Sequence, residues 1–566
     1  KTNLKKVFPG YHMNKKNWLT ICLNETVPLE EICTRIDASY ELAKKKGVEA
    51  WVEPIVEGKE VKFLIHHEPH KEIKKKPKVG QSAVFTCPAC GEITPDSYVK
   101  DCGKRQQIDN QMIAVVANDN RNRLYIEPTA EQKAAAKAMA PKRIPHGMLP
   151  NFPKRFSPPQ FGLSDYADLY SNRQFIFLTT ILELTKEAEA LAKKAAIDKG
   201  YANDGITFSE GGIGADAYAQ VIRLSLVLVI SKLLDLCSSI CSWDSTSGGS
   251  LRTVFSRAAM PMIWDYAEAN PFANAGGSFH SALVRTCKAI AALPAGVKGS
   301  TTVADGTVPS KLRNMIVSTD LPYYDRCSYS DLSDYFYVWL KYGLEDMYHE
   351  YFKEELSSKK EELTAFAYRW NGDKKQANAF YAERLNLAVK NIASSMTEEY
   401  PSTVSYIYKR DKINKEGTLT EWEVFITAIY NAELSITAAW PLGKKIEENI
   451  ALSEARGIPV TIVVRKKPDD APMVTRRVFV TKVKQEVPLI VKELQETCSI
   501  EELRVSVIGK ALNIYMRNKQ VLDASGEEME PYMAVRIIEQ EIDMVLQPVY
   551  EAVKINNSNK EENTND

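Results

Sequence analysis

The stretch that most constrains this chain is an apolar run, Met315-Ile316-Val317, followed without a break by Ser318-Thr319-Asp320-Leu321-Pro322-Tyr323-Tyr324-Asp325. The run favours an extended strand, and Pro322 forbids its simple continuation because proline has no N–H to give to a ladder. A carboxylate and two phenol rings are therefore expected at a strand end. Where strands alternate with helices, ligands bind beyond that end.

The alternation extends on both sides. Beyond Pro294 the candidate strands are Thr301 to Ala304, Asn314 to Thr319, Thr403 to Tyr408, Ile436 to Trp440 and Val460 to Val464, with helical periodicity between them. Thr420-Glu421-Trp422-Glu423 reads as a capping box that opens one of the helices. The pattern predicts an α/β sheet domain over 294–470 and a helical region over 471–554. The polar 555–566 is expected to be disordered.

Upstream, 47–128 alternates in short strands around the Cys87-Pro88-Ala89-Cys90 word and reads as a small β insertion. An Ala- and Lys-rich, then Pro-rich connector opens 129–293. The helices of this region are expected from about Asp165 to Asp198 and from Ala215 to Leu236. Residues 1–46 read as a strand and a helix, and 566 residues exceed what one core serves, roughly 100 to 200 per domain. Several domains are expected.

Seventy-three basic and 73 acidic residues balance, so bulk charge does not mark a nucleic-acid binder, and any phosphate contact must be local. Lys71 to Lys78, Arg465-Lys466-Lys467 and Arg476-Arg477 are the local candidates, weighed against ordinary solvated surface. Ten scattered cysteines argue for a reducing compartment, and the expected location is the cytoplasm. Val221 to Leu234 is interrupted by Arg223 and Lys232 and is expected to be a buried helix that does not cross a membrane.

The residue types at 320–323 suit one chemistry. The lone pair of an aromatic amine is delocalised into its ring. A carboxylate and a backbone carbonyl that accept the two N–H bonds can direct that lone pair toward an electrophile. Asp320 is the carboxylate, Leu321 and Pro322 bring loop carbonyls, and Tyr323 offers a ring to a base taken out of its stack. The bland alternative is a strand-end loop with two packed tyrosines.

The word resembles motif IV of the DNA amino-methyltransferases, Asp-Pro-Pro-Tyr or Asn-Pro-Pro-Tyr, with leucine in the second position. Asp331-Leu332-Ser333-Asp334, Phe336-Tyr337-Val338-Trp339-Leu340 and Pro261 through Phe272 are similar to DNA methylases with an N-terminal domain of unknown function, often found beside phage-defence genes. The resemblance covers about 45–550. It implies a Rossmann-like methyltransferase sheet, S-adenosylmethionine as methyl donor, an exocyclic amino group of adenine or cytosine as target, and double-stranded DNA as partner. Restriction or phage-defence subunits are implied as further partners. Asp305 would then meet the adenine ring of the donor. A non-catalytic DNA-binding or assembly subunit is the rival reading; methylation of RNA or protein is a third. Tyr11 to Lys16, Trp18, Ile36-Asp37 and Ser39-Tyr40 resemble the C-terminal end of the MmcQ/YjbR family.

The resemblance also implies a glycine-rich donor loop after the sheet's first strand, and no glycine word fits it. Gly211-Gly212-Ile213-Gly214 lacks a preceding apolar strand, and Gly248-Gly249 and Gly276-Gly277 read as turns. The first strands of the sheet are expected to be missing, leaving an unpaired edge. Cys87 and Cys90 form half of a zinc-ribbon-type site, for which Cys102, His66, His67 or His70 would have to supply the rest. A metal-free relic is the favoured reading of that pair.

Overall fold

The computed structural model describes residues 7–9, 19–21 and 50–562, apart from 59, 68–76, 81, 120–121, 138, 140, 142–144, 246–248, 257, 295, 298, 410–418 and 443–456. The helix expected within 1–46, all of the MmcQ/YjbR-like words, His70 and most of the Lys71 to Lys78 run lie outside the described residues. The chain forms two compact units, Lys1–Leu293 with Asp334–Leu356, and Pro294–Ser333 with Ser357–Asp566.

The first unit begins with antiparallel pairs: β1 (Val7–Pro9) with β2 (Leu19–Ile21), β3 (Trp51–Glu57) with β4 (Glu60–His66), and β5 (Phe85–Thr86) with β6 (Ile93–Thr94). Helix α1 (Asp96–Lys104) follows, then β7 (Val115–Asp119) paired with β8 (Asn122–Ile126), and α2 (Ala130–Ala135), opened by a Thr129–Gln132 capping box. Helix α3 (Asn172–Asp198) starts at a second box, Ser171 with Gln174, and packs along α4 (Ala215–Leu234). A short ladder, β9 (Trp243–Asp244) with β10 (Ser250–Leu251), precedes α5 (Phe279–Ala291).

By length and composition α4 is long and apolar enough to cross a membrane, a test that the core helix of a folded unit also passes. In the unit it carries a buried cation: Arg223 reaches Asp346 at 2.6 Å and Glu189 at 3.1 Å and donates to the Gly343 carbonyl at 2.7 Å. Burial of an unpaired guanidinium would be prohibitive, so these partners are what permit it.

The second unit is built on a four-stranded sheet in the order β11 (Ser318–Asp320), β12 (Ser402–Tyr408), β14 (Ile458–Lys466), β13 (Leu434–Pro441). β11 and β12 are parallel; β14 runs antiparallel to both β12 and β13. The expected α/β alternation is therefore present, but the sheet is mixed. The expected strand at Thr301 to Ala304 is absent: Val303 is 83% exposed, and no strand pairs there. The expected strand from Asn314 narrows to β11 preceded by one bridge, Met315 to Met396, because Asn314 adopts a left-handed φ of 56°. Among the described residues no strand pairs with the other edge of β11.

Helix α6 (Tyr329–Leu344) starts in this unit, α7 (Lys374–Ser395) precedes β12, and α8 (Glu421–Asn431) opens at the Thr420–Glu423 capping box. Glu423 also takes the Arg536 guanidinium at 2.5 Å. A parallel pair, β15 (Met473–Thr475) with β16 (Gln520–Leu522), brackets α9 (Arg476–Gln495) and α10 (Ile500–Met516). The final helix, α11, spans Pro531–Glu562, so most of the segment expected to be disordered continues a helix.

One core joins the sheet to these helices. Tyr381, Leu385 and Val389 of α7, Val404 and Tyr406 of β12, Phe425 and Ile429 of α8, and Phe479, Val487, Leu512, Ile538 and Ile542 of α9 to α11 are buried in it. The helical tail thus belongs to the same unit as the sheet and is not a separate layer. Alternation along β12 buries Ser402, Val404, Tyr406 and Tyr408, while Thr403, Ser405 and Ile407 stay half-buried. The half-buried face continues onto β11, where Ser318 and Asp320 stand in register with Thr403 and Ser405.

Candidate active site

Asp320 is the last residue of β11 and is exposed. One carboxylate oxygen, Oδ1, accepts the Tyr323 hydroxyl at 2.7 Å. Leu321 turns the other way, 6% exposed and packed in the core, which gives a physical reason for leucine at this position. Its N–H still reaches the Ser405 carbonyl at 3.4 Å, so the ladder ends one residue beyond the strand.

The loop that follows is held at nearly every carbonyl. Pro322 accepts the Tyr324 N–H at 3.2 Å and the Tyr381 hydroxyl at 3.2 Å. Tyr323 accepts the Arg326 N–H at 2.9 Å, and Tyr324 accepts the Ala365 N–H at 2.9 Å. No hydrogen bond is made to the Leu321 carbonyl among the described residues. Tyr324 sits at φ 32°, a backbone state costly for a non-glycine residue; its ring packs edge-on to Tyr381 at 5.1 Å and its hydroxyl bonds Asn378. Arg326 reaches Glu421 at 3.4 Å at the start of α8. The loop is pinned from α7, from α8 and from the segment near Ala365.

The Tyr323 ring lies against Tyr406, centroids 6.3 Å apart at 78°, and near Tyr329 at 6.5 Å. Burial, then the Asp320 carboxylate, pushes the Tyr323 phenol well above its usual range. Burial and the neighbouring Cys327 push Tyr329 up to about 12. Both remain neutral donors at physiological pH. Behind Tyr329, Asp331 is buried and bonded by Arg369 at 3.0 Å and by the Tyr368 hydroxyl; Glu362 accepts from the Ser330 N–H at 2.9 Å and pairs with Arg369. These groups anchor the first turn of α6. The acidic word at Asp331 therefore has a structural use.

Asp305 is not at a strand end. Its Oδ1 accepts the Thr307 N–H at 2.9 Å and hydroxyl at 2.8 Å, and its Oδ2 takes Arg384 at 2.6 Å. The Thr307 N–H, and then the hydroxyl and Arg384, hold this carboxyl below its ordinary value. Oδ1 holds two hydrogen bonds and Oδ2 one, so a donor adenine would have to share Oδ2 with Arg384.

The glycines do not form a donor loop either. Gly212 packs against the Ile206 carbonyl, and Gly214 is the N-cap of α4 against Ala202 and Asp204, in the first unit and with no strand before them. Among the described residues no glycine word follows a strand as the donor loop implied by the resemblance would.

Cys87 and Cys90 lie in the turn between β5 and β6, closed by Gly91 N–H to Cys87 O at 2.9 Å and Cys87 N–H to Glu92 O at 2.8 Å. The backbone N–H groups of Cys90 and Ala89, and the Cys90 side chain, lower the Cys87 thiol below its usual value. This is a turn that stabilises one thiolate. Among the described residues no third His, Cys, Asp or Glu joins the two in a metal-holding group. Cys102 is engaged with Tyr98, and His66 bonds Glu53 at 2.9 Å and stacks on Trp51. The described residues do not fit a closed zinc site.

Sequence reasoning missed Tyr381, Tyr406, Asn378 and Glu421. Nothing local marks them, since Tyr381 and Glu421 lie 59 and 95 residues from the loop positions they serve.

No family model and no solved structure matches the chain. Among curated proteins it is similar to "Uncharacterized protein YyaQ" of Bacillus subtilis (strain 168), 43% identical over 42 residues. That similarity covers 7% of this chain and 36% of the other protein, whose printed name states no activity. The chemistry of the site rests on its own geometry.

Proposed function

We propose that the second unit presents the target-amine half of an S-adenosylmethionine-dependent DNA amino-methyltransferase, acting on adenine or cytosine. The observation that carries the reading is the pairing of consecutive acceptors at a strand end. Asp320 offers a carboxylate, and Leu321 offers the one loop carbonyl from Leu321 to Tyr324 without a described partner. An exocyclic amine has two N–H bonds to give, and these two acceptors would keep its lone pair turned away from ring conjugation. Tyr323 supplies a π-face for a base that has left its stack.

The donor side supports a second reading, a DNA-binding or assembly subunit without its own turnover. Asp305 is committed to Arg384, no glycine loop follows a described strand, and β11 has an open edge.

The amine reading is tested by titrating the full chain, followed by NMR, with deoxyadenosine and deoxycytidine against purine deoxyriboside and pyrimidinone deoxyriboside, which lack the amine. The expected result is tighter binding of the amine-bearing member of one pair. Asp320→Ala should erase that preference while leaving the fold intact, since Asp320 is exposed. A preference that survives the substitution removes Asp320 from the site. Transfer of labelled methyl groups to DNA separates the two readings.

A further inference from the structure

The loop has several carbonyls, and an amine-binding site needs one of them in a fixed place. We infer that Tyr381, seated on α7, is the positioning residue that decides which one; the inference rests on the amine reading above. Tyr381 is fully buried, and its hydroxyl lies 3.2 Å from the Pro322 carbonyl and 3.1 Å from the Tyr406 hydroxyl. The direction of the chain is fixed by donor and acceptor counting. A carbonyl can only accept, so the single Tyr381 proton goes to Pro322, and the Tyr381 oxygen must accept from Tyr406.

Burial raises both phenols, which keeps both protons in place at physiological pH. Together with the Tyr324 N–H, Tyr381 gives the Pro322 oxygen two donors. Leu321 is left as the available carbonyl, next to Asp320. Without the Tyr381 hydroxyl, Pro322 would become a second free acceptor one residue away. The peptide between Leu321 and Pro322 would lose the contact that sets its orientation, and the buried Tyr406 hydroxyl would lose its acceptor.

Tyr381 touches no substrate in this arrangement, so its effect should appear only where the amine is read. In the titration above, the quantity of interest is the ratio of affinities for the amine-bearing nucleoside and its amine-free analogue. Tyr381→Phe keeps the ring, and the ratio is expected to fall about tenfold while affinity for the analogue stays as in the wild type. Tyr381→Met, which also lacks the hydroxyl, should lower the ratio in the same direction, and it serves if Tyr381→Phe does not fold. A merely structural role would weaken both nucleosides together. A folded Tyr381→Phe with the wild-type ratio, or a folded Tyr381→Met with the wild-type ratio where Tyr381→Phe is unfolded, overturns the inference. Absence of any preference in the wild type instead overturns the amine reading on which it rests.

Discussion

Replacing Tyr323 by phenylalanine should tighten binding of an amine-bearing nucleoside, the reverse of what removing a hydroxyl from a site usually does. The Tyr323 hydroxyl gives its proton to Asp320 Oδ1 at 2.7 Å, so an amine proton aimed at the same lone pair must displace it. A hydrogen bond to a charged group contributes about 1.5–3 kcal/mol net, and exposure of Asp320 puts this one at or below the lower end. Removing the competitor at about 1–1.5 kcal/mol corresponds to roughly 5- to 10-fold in affinity. Phenylalanine keeps the ring against Tyr406 at 6.3 Å, so the stacking surface is retained.

The amine-free analogue has no use for Asp320, and its affinity should not change. Tyr323→Ala removes the ring as well and forfeits about 1–3 kcal/mol of base stacking, so both nucleosides should weaken. NMR titration of the three proteins with both nucleosides gives all six constants. Weaker binding of the amine-bearing nucleoside by Tyr323→Phe would refute the competition argument. Equal tightening for both nucleosides would show that the hydroxyl obstructs the ring face instead.

Gly509 of α10 lies against β13, where an added Cβ would meet Ala439 N at 2.4 Å and Ala439 Cβ at 2.3 Å. Alanine's helix propensity gains about 1 kcal/mol, but overpacking against backbone costs about 1–3 kcal/mol or more. Gly509→Ala should therefore destabilise by about 2 kcal/mol in urea denaturation, against a neutral Gly299→Ala control, where nothing lies within 4 Å. The chain by itself should bind S-adenosylmethionine only above ~1 mM, about 4 kcal/mol of binding free energy; micromolar binding in calorimetry would reveal a donor site elsewhere. The lowered Cys87 thiol should alkylate at lower pH than a free cysteine in solution, as read by mass spectrometry across a pH series, and the pair should lose zinc to a chelator. One zinc per chain retained through chelation would place further ligands beside it.

Local chemistry made several features readable in advance. Thr420 and Glu423 form the reciprocal cap that their spacing requires, because a capping box involves only residues three apart. The switch in periodicity after Leu293 coincides with a boundary between compact units. A strand was readable near Asp320, but neither its position nor its length was: β11 is Ser318–Asp320, beyond the apolar run, whose Met315 and Ile316 are exposed. The backbone at Asn314 and the partners offered at Met396 and Thr403 set that length, and both are properties of the folded neighbourhood.

The sequence by itself placed a carboxylate, two candidate carbonyls and a phenol at a strand end, since those follow from the order of residue types along eight positions. Tertiary structure alone decided which carbonyl is free, by bringing Tyr381 and Tyr406 to Pro322. It turned Asp305 toward Arg384, and it set the Tyr323 hydroxyl on Asp320. Periodicity reports which face of an element is buried. A hydrogen bond between distant residues depends on the position of individual atoms after the core has closed, and no local pattern carries that information.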